Sequence, residues 1–291
     1  MNRVGLYGGS GFIGTHFQQM LKKISNNNFQ IHLLPHRGSP EEIKNALRKF
    51  NALSGESTQA SILYLAENNE IAQADKLSSD YSKLNTKRLR FILSNTDSRI
   101  IYASSVGVYG DLSELPHHPA DSVNPLNSYA YSKLDCEKLV LQAGGIVARL
   151  SNVYGHGMSK KNIISDVLKQ ITTKGIDSIK IINGTPIRDM IHVSDVTSCL
   201  LAMTTIPKKG VYNVATGIDV SNSLENLQSL VNSAIKLSED NDNETFIQSD
   251  LTNLGITGVG ASEEEAPEVD AINAVINNSD ISVTTIVDLQ K

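Results

Sequence analysis

The chain has 291 residues, enough for one large domain or two modest ones, and its 40% hydrophobic and 20% charged content is ordinary for a globular protein. No apolar run reaches the roughly 20 residues that span a bilayer, and the N-terminus reads as a strand rather than a signal peptide. The net charge is −5, yet residues 238–291 hold twelve acids and one lysine, so the remainder carries +6.

This charge distribution limits the classes of partner. A positive body suits an anionic small molecule, although a solvated surface would also explain it. Basic residues do not cluster with aromatic ones, which argues against a nucleic-acid partner. Cys136 and Cys199 are too few and too far apart for a disulfide framework or a metal site, and both read as buried thiols. We expect a cytoplasmic enzyme without a membrane partner or a bound metal.

Strand and helix patterns alternate from the N-terminus onward. The predicted strands cover residues 3–9, 29–35, 60–66, 99–105 and 145–151. Helical spacing follows the first glycines, begins again at Pro40, covers about 78–94 and resumes near Asn127. The alternation predicts an α/β fold with a Rossmann-like, doubly wound parallel sheet.

The alternation loosens after Asn152. Helices near 161–173, 194–203 and 221–237 and strands over 178–182 and 211–215 are predicted there, with a further strand pattern over 280–289. We therefore divide the chain into a dinucleotide-binding domain, residues 1–152, which later segments could rejoin, and a smaller substrate-binding region, residues 153–291. From about residue 238 an acidic tail shows no clear packed element.

Three glycines separate the first strand from the first helix. Gly8 permits the tight turn, Gly11 lets the backbone approach a pyrophosphate, and Gly14 allows the helix to pack closely on the sheet. The backbone of Phe12 and Ile13 then presents the start of the helix to the phosphate charge. Glycines alone are weak evidence, but this context predicts dinucleotide binding.

The end of the second strand bears on the choice of cofactor. An NAD site usually carries an acid there to bond the ribose hydroxyls. This chain instead has Pro35, His36 and Arg37. A basic Arg37 could receive a 2′-phosphate, which favours NADP over NAD, whereas the alternative is a solvated loop residue.

The stretch NSYAYSKLDCEK contains the candidate catalytic pair. Tyr129 and Lys133 are four residues apart and share one face of a helix. A phenol ionises only near pH 10, but a neighbouring ammonium and an oxidised nicotinamide would favour the phenolate. Ser105, at the end of a strand, could hydrogen-bond the substrate oxygen, which completes an apparatus for moving a proton while hydride is transferred. Tyr131 points elsewhere and reads as structural.

Several motifs in order resemble the extended short-chain dehydrogenase/reductase family. They are GGSGFIG, ILYLA, YASSVGVYG, YAYSK…E, ARLSNVYGHG and NGTPIRDMIHVSDV, and they cover about residues 3–215. The last of them narrows the resemblance to the nucleotide-sugar epimerase/dehydratase branch. The resemblance implies a Rossmann-like cofactor domain, a smaller C-terminal substrate domain and an active site between them.

The resemblance also implies roles for single residues. Tyr129 would be the acid/base, Lys133 would bind the nicotinamide ribose, and Ser105 would contact the substrate. Leu65 and Ala66 would line the cofactor by their backbone, and Asn85 matches an asparagine of the preceding helix. On the substrate side, Asn152 matches a binding position and Arg188 an arginine that contacts the diphosphate. Arg188 could instead form a salt bridge with Asp189 or Asp195, and His192 reads as a packed residue.

The chain departs from the family pattern in three places. Val106 and Gly107 stand where related dehydratases carry acids, so elimination chemistry is disfavoured. A helix pattern after Pro40 replaces the strand that reads adenine, and Arg88-Leu89 replaces a Gly-Thr pair.

The leading hypothesis is an NAD(P)-dependent enzyme that epimerises a nucleotide-activated sugar through transient oxidation of a hydroxyl. A reductase of a keto nucleotide sugar that consumes NADPH is the alternative, and a non-catalytic NAD(P)-binding sensor is a rival from another class. A homodimer through the helices near 78–95 and 129–144 would fit the family.

Overall fold

The computed structural model describes residues 2–23, 29–53, 60–67, 71–77, 79–110, 116–159, 162–166 and 187–221. The helices are α1 (Phe12–Lys23), α2 (Pro40–Ala52), α3 (Ile71–Leu77), α4 (Ser79–Leu93), α5 (Ser128–Gln142) and α6 (Val193–Met203). The strands are β1 (Asn2–Tyr7), β2 (Phe29–Leu34), β3 (Ala60–Tyr64), β4 (Arg99–Ser105), β5 (Ile146–Leu150), β6 (Asn152–Tyr154), β7 (Ile187–His192), β8 (Gly210–Val214) and β9 (Asp219–Ser221).

Six of these strands form a parallel sheet in the order β2-β1-β3-β4-β5-β8. Successive strands are added on opposite sides of β1, which pairs with β2 on one side and with β3 on the other, so the strand order reverses there. In such sheets ligands bind outside the carboxyl ends of the strands, at the point of reversal. The predicted α/β fold with a parallel sheet is confirmed.

Two buried layers cover the faces of the main sheet. Phe17 of α1 and Leu200 of α6 pack with Leu6 on one face. Phe50 of α2 and Leu89 of α4 pack with Tyr64 on the other. Because successive strand residues point to opposite faces, each central strand is apolar on both sides, which explains its continuous hydrophobic run. The sheet is therefore doubly wound. Cys136 and Cys199 are buried within these layers, and neither forms a disulfide.

A small sheet stands at the carboxyl edge of the main one. Its order is β6-β7-β9, with β6 and β7 parallel and β7 and β9 antiparallel. Only Ser151 separates β5 from β6, so the chain passes directly from the main sheet into the small one. The sequence patterns did not predict β6, β7, β9 or the short helix α3. The three-residue strands β6 and β9 and the seven-residue helix α3 are too short for a clear period, and the six residues of β7, IRDMIH, do not alternate regularly between apolar and polar.

Two elements beyond residue 152 return to the first part of the chain. β8 pairs with β5 along its whole length, and α6 packs against α1. Main-sheet packing therefore continues past the predicted boundary at residue 152, and that boundary stays a prediction.

The edge of the main sheet beside β2 agrees with the sequence pattern, in which a helix after Pro40 replaces the strand that reads adenine. Within the described residues no strand pairs with the outer side of β2, and α2 follows instead. Ser39 and Glu42 form a capping box at the start of α2, with Pro40 in the first turn. These local signals explain why this segment is helical.

The other C-terminal predictions fall mainly outside the described residues. A helical turn at 163–166 coincides with the helix predicted near 161–173. The strand predicted over 178–182, the helix near 221–237, the strand over 280–289 and the acidic tail all lie outside. In the described part of the chain, the helices are too short or too polar to cross a bilayer.

Candidate active site

The glycine turn after β1 has the geometry that a bound phosphate requires. Gly8 has a φ of +105°, a conformation that suits glycine, and a Cβ there would lie 2.7 Å from the backbone nitrogen of Ala66. A Cβ on Gly14 would lie 2.5 Å from the carbonyl oxygen of Gly8. At Gly11 a Cβ would meet only that same oxygen, at 3.3 Å, so the outer side of the turn is open.

The start of α1 completes this turn. The Gly11 amide donates to the Gly8 carbonyl at 3.0 Å, and the helix begins at Phe12. Residues 12 to 15 are Phe, Ile, Gly and Thr, so no negative charge stands in the first turn. The positive end of the helix dipole and an open glycine face fit a pyrophosphate. The residues present therefore fit a dinucleotide.

Leu65 and Ala66 extend β3 along this turn. The Leu65 amide donates to the Tyr7 carbonyl at 2.8 Å, which carries the backbone past the end of β1 and against Gly8. Ala66 is buried. Their backbone thus lies against the glycine turn, and its contact with a cofactor stays a prediction.

Helix α5 brings Tyr129 and Lys133 to the carboxyl edge of the sheet. Asn127 caps the helix by accepting from the Ala130 amide at 2.9 Å, which places Tyr129 in the first turn. Tyr129 is half-buried, whereas Tyr131 is 54% exposed. Tyr131 thus points away from the sheet edge, and Tyr129 is the tyrosine beside Lys133.

Lys133 is buried and carries a partner that the sequence did not reveal. Its Nζ lies 2.7 Å from Oε2 of Glu67 and donates to the Ala103 carbonyl at 2.8 Å. The same Nζ lies 5.7 Å from the centroid of the Tyr129 ring. Burial alone would lower the pKa of Lys133, but the Glu67 carboxylate outweighs it and the pKa is raised. Lys133 is therefore a cation held between β3, β4 and α5.

The two serines at the end of β4 have different surroundings. Ser104 is buried and its hydroxyl donates to Glu137, whereas Ser105 is half-buried and accepts from the Gly107 amide at 3.1 Å. Ser105 also caps the 3₁₀ turn Val106–Val108. Ser105 lies at the carboxyl end of β4, two residues after Ala103, whose carbonyl accepts from Lys133.

Asn85 reaches this region through α5. It is buried, and its amide donates to the Ser132 hydroxyl at 3.0 Å, beside Lys133 in sequence. If Asn85 contributes to cofactor binding as predicted, it does so by positioning α5 through its hydrogen bond to Ser132.

Three tyrosines form a row across the sheet. Tyr7, Tyr64 and Tyr102 occupy the same register on β1, β3 and β4, with ring centroids 5.0 Å and 5.8 Å apart. The Tyr102 hydroxyl donates to Glu67 at 2.9 Å. Among the described residues, the buried hydroxyls of Tyr7 and Tyr64 have no hydrogen-bond partner. The row ends at the Glu67 carboxylate, on the side of Lys133.

A group of basic side chains stands at the ends of β1 and β2. His36 lies edge-on to Tyr7, with ring centroids 6.4 Å apart, and the exposed Arg37 follows it. Burial lowers the pKa of His36, and the positive charges of Arg37 and Arg88 lower it further. Arg88 of α4 thus acts together with Arg37 on His36. In the sequence, Arg88 differs from other helix residues only as a departure from the family pattern.

The predicted substrate residues lie on the small sheet. Asn152 on β6 is exposed and donates to the Asp189 carbonyl at 3.1 Å. Arg188 on β7 is exposed, and its guanidinium donates to the Ile187 carbonyl at 2.9 Å. The Asp189 carboxylate accepts instead from Ser151, Thr216 and Gly217. In the described part of the chain, the alternative salt bridge of Arg188 with Asp189 or Asp195 is not formed.

His192 and Asp195 are buried at the start of α6. His192 caps the helix through the Ser194 amide, and burial with the charge of His16 lowers its pKa to about 4. Burial raises the pKa of Asp195 to about 7, and its Oδ2 has no hydrogen-bond partner within the described residues. His192 is thus a packed, capping residue. The described residues contain no group of three or more His, Cys, Asp or Glu side chains that could hold a metal.

Comparisons with known proteins identify the family of the chain. The model of the NAD dependent epimerase/dehydratase family matches residues 4–215. GDP-6-deoxy-D-mannose reductase of Pseudomonas aeruginosa is 29% identical over 233 residues, which are 74% of this chain and 75% of that protein. ADP-L-glycero-D-manno-heptose-6-epimerase of Brachyspira hyodysenteriae is 26% identical over 237 residues, 72% and 74% of the two chains.

A solved structure gives the same picture. The structure of RMD from Pseudomonas aeruginosa, complexed with NADPH, has a TM-score of 0.69 and 27% identity to this chain. The match covers 81% of this chain and 83% of that one.

Proposed function

Because the chain belongs to the NAD dependent epimerase/dehydratase family, we propose that it is an NADPH-dependent reductase of a keto sugar carried on a nucleotide. The observation that carries the proposal is the Tyr129–Lys133 pair on α5, in which Nζ of Lys133 lies 5.7 Å from the centroid of the Tyr129 ring and donates to the Ala103 carbonyl, two residues before Ser105 on β4. The reductase relative, similar over three quarters of its length, and the NADPH complex support the direction of the reaction.

Each residue has a stated role in this proposal. When bound, NADPH supplies a hydride to the carbonyl carbon of the sugar. Tyr129 gives its hydroxyl proton to the carbonyl oxygen, so the C=O double bond becomes a C–H and an O–H bond, and the phenolate then regains a proton from solvent. Ser105 hydrogen-bonds the same oxygen and keeps it in line with Tyr129. Lys133 holds the nicotinamide ribose and stabilises the phenolate.

The nucleotide-sugar diphosphate would lie on the small sheet. Arg188 has an exposed guanidinium whose one recorded hydrogen bond goes to a neighbouring carbonyl, so its other N–H groups can reach a diphosphate. Asn152 on the adjacent strand offers an amide to the sugar or the phosphate. Asp189 braces this edge by accepting from the backbone of Gly217 at 2.6 Å.

The preference for NADP over NAD follows from the basic group at the end of β2. The capping box already occupies one amide in the first turn of α2, because the Ser39 hydroxyl accepts from the Glu42 amide, and Pro40 has no N–H to offer. A 2′-phosphate would therefore depend on the side chains of His36, Arg37 and Arg88. The positive charges of Arg37 and Arg88 repel one another until an anion is bound, which favours the phosphorylated cofactor.

Two arginine variants test this preference. We expect Arg37→Leu and Arg88→Leu each to weaken NADPH binding about tenfold, while NADH binding changes less than about threefold. Arg90→Leu, an exposed arginine on the same helix as Arg88, is the matched control. Equal losses for NADPH and NADH would contradict a 2′-phosphate role.

The reaction itself is tested with purified protein, NADPH and a panel of keto nucleotide sugars. We expect one NADPH oxidised for each product formed, followed by absorbance at 340 nm and mass spectrometry of the product. Turnover without net NADPH consumption would contradict the reductase and support the second candidate, an epimerase. The heptose-6-epimerase relative, 26% identical over 237 residues, is the observation that favours this second candidate.

We also propose that the enzyme is a cytoplasmic homodimer. A groove of about 760 Å³ runs between α4 and α5, and Leu84 and Tyr131 are exposed on these helices. Cys136 and Cys199 form no disulfide, which is typical of a reducing compartment. Light scattering should give twice the 31.6 kDa of the chain, and a mass equal to one chain would contradict the dimer.

A further inference from the structure

Glu67 is a buried carboxylate placed against the predicted ribose-binding lysine. Its Oε2 lies 2.7 Å from Nζ of Lys133, and the two side chains are 4% and 6% exposed. Tyr102 donates its hydroxyl to both carboxylate oxygens, at 2.9 Å and 3.0 Å. Three groups from β3, β4 and α5 are thus locked together directly beside Ala66 and the glycine turn.

We propose that Glu67 sets the charge of the nicotinamide subsite, because its carboxylate offsets the ammonium of Lys133 and so favours the oxidised over the reduced cofactor. The inference rests on the proposed function, which places Lys133 on the nicotinamide ribose. The oxidised nicotinamide ring is a cation and the reduced ring is neutral. An unpaired Lys133 would repel the cation, whereas the Lys133–Glu67 pair presents no net charge.

Stability gives little reason for a buried ion pair at this position. Removing two charges from water costs several kcal/mol for each ion, and well-packed apolar residues are often as stable as such a pair. Here the pair lies at the carboxyl edge of the sheet, where the cofactor and the substrate meet. A role in the chemistry of this edge explains why a carboxylate stands there.

Other titratable groups surround the pair on α4, α5 and β4. Tyr102 on β4 and Cys136 on α5 have their pKa values raised by burial and, next, by the Glu67 charge, so both are uncharged at neutral pH. Burial likewise raises the pKa of Tyr81 on α4. Tyr129, whose ring centroid lies 5.7 Å from Nζ, faces the pair from the first turn of α5. Glu67 is therefore the one anion recorded against Lys133 among the described residues.

The sign of this effect matters for the direction of the reaction. A subsite that favours the oxidised form makes bound NADPH a stronger hydride donor, because the positive charge that develops on the ring as hydride leaves is no longer opposed. Glu67 thus supports net reduction of a carbonyl. A site with Lys133 alone would favour oxidation of a hydroxyl.

The test compares the dissociation constants of NADP⁺ and NADPH without any sugar present. Glu67→Gln keeps the size of the side chain and removes its charge, and we expect the ratio of the NADP⁺ constant to the NADPH constant to rise about tenfold. Both forms carry the same ribose and phosphates, so a change of packing or of a ribose contact alters both constants and leaves the ratio unchanged. Glu67→Asp keeps the charge and should retain the wild-type ratio.

Two further variants serve as a control for charge removal elsewhere and as a second way of removing the Glu67 charge. Asp97→Asn removes an exposed acid away from the site and should leave the ratio unchanged. If Glu67→Gln does not fold, Glu67→Ala, which leaves room for water beside Lys133, must give the same rise. A ratio that stays within about twofold of wild type in the folded charge-removing variant overturns the inference. Failure to bind either cofactor would instead refute the proposed function.

Discussion

The carboxylate of Glu137 on α5 accepts two hydrogen bonds from the guanidinium of Arg149 on β5, at 2.8 Å from Nη2 and 3.1 Å from Nε. Ser104 donates to the same carboxylate. The guanidinium carbon also lies 4.7 Å from the centroid of the Tyr109 ring, in the turn that follows Ser105. This buried pair therefore ties α5 to β4, β5 and the turn at the predicted catalytic serine.

Breaking this pair should be costly. Glu137→Gln leaves the Arg149 charge buried without a counter-ion, and we expect a loss of about 3 kcal/mol in the free energy of unfolding, measured by urea denaturation. Asp80→Asn is the matched control, because its salt bridge with Lys83 is exposed and should be worth less than about 1 kcal/mol. A loss below about 1 kcal/mol for Glu137→Gln would show that the pair is not structural.

The two tyrosines of α5 should respond differently to the same substitution. Tyr129→Phe removes the proposed proton donor, and we expect kcat to fall about 10²- to 10⁴-fold while NADPH affinity changes little. Tyr131→Phe alters an exposed ring and should leave kcat within about twofold of wild type. Steady-state kinetics and fluorescence titration measure both quantities. Equal activity of Tyr129→Phe and wild type would remove Tyr129 from the mechanism.

The glycine turn allows cofactor binding and stability to be separated. At Gly11 an added methyl group meets only the Gly8 carbonyl, at 3.3 Å, and otherwise fills the open face of the turn. Gly11→Ala should therefore weaken NADPH binding at least about tenfold and change the free energy of unfolding by less than about 1 kcal/mol. At Gly14 the methyl group would be 2.5 Å from the same oxygen, so Gly14→Ala should lower both. Unchanged NADPH affinity in Gly11→Ala would contradict the phosphate site.

His192 and Asp195 should give opposite contributions to the dependence of stability on pH. The folded pKa of Asp195, about 7, exceeds its ordinary 3.8, so its stabilisation is full below pH 3.8 and is lost as the pH rises through 7. The folded pKa of His192, about 4, lies below its ordinary 6.5, so its stabilisation is full above pH 6.5 and is lost as the pH falls through 4. Between pH 4 and 6.5 the two slopes oppose each other.

Single substitutions separate the contributions of Asp195 and His192 to the pH dependence of the free energy of unfolding. Relative to wild type, Asp195→Asn should gain stability as the pH rises from 4 to 7, by up to about 1.4 kcal/mol per pH unit. His192→Asn, which keeps a capping side chain, should lose stability over pH 4 to 6.5 relative to wild type. Urea denaturation across this range measures both differences. Difference curves that are flat with pH would show that neither group titrates with a shifted pKa.

Much of the fold and part of the site could be predicted from the sequence because their signals are local. The alternation of apolar runs and helical spacing predicts β1 to β5, α1, α2, α4 and α5 in their correct order. The glycine spacing predicts the turn after β1, and the four-residue spacing predicts that Tyr129 and Lys133 share a face. Each of these depends on residues within one or two turns of chain, where backbone sterics, capping and periodic burial act.

What the tertiary structure alone decided depends on residues far apart in sequence. That β8 returns to pair with β5, and that a small sheet forms at the carboxyl edge, follows from backbone hydrogen bonds between distant segments. In the sequence, Glu67 is simply an acidic residue after a predicted strand, and nothing indicates its partner. Arg88 reads as an ordinary helix residue. Only the packing of α5 against the main sheet brings Glu67 to Lys133, and only the fold brings the charge of Arg88 close enough to lower the pKa of His36. Electrostatic partnership depends on distance in space, and periodicity along the chain carries no information about it.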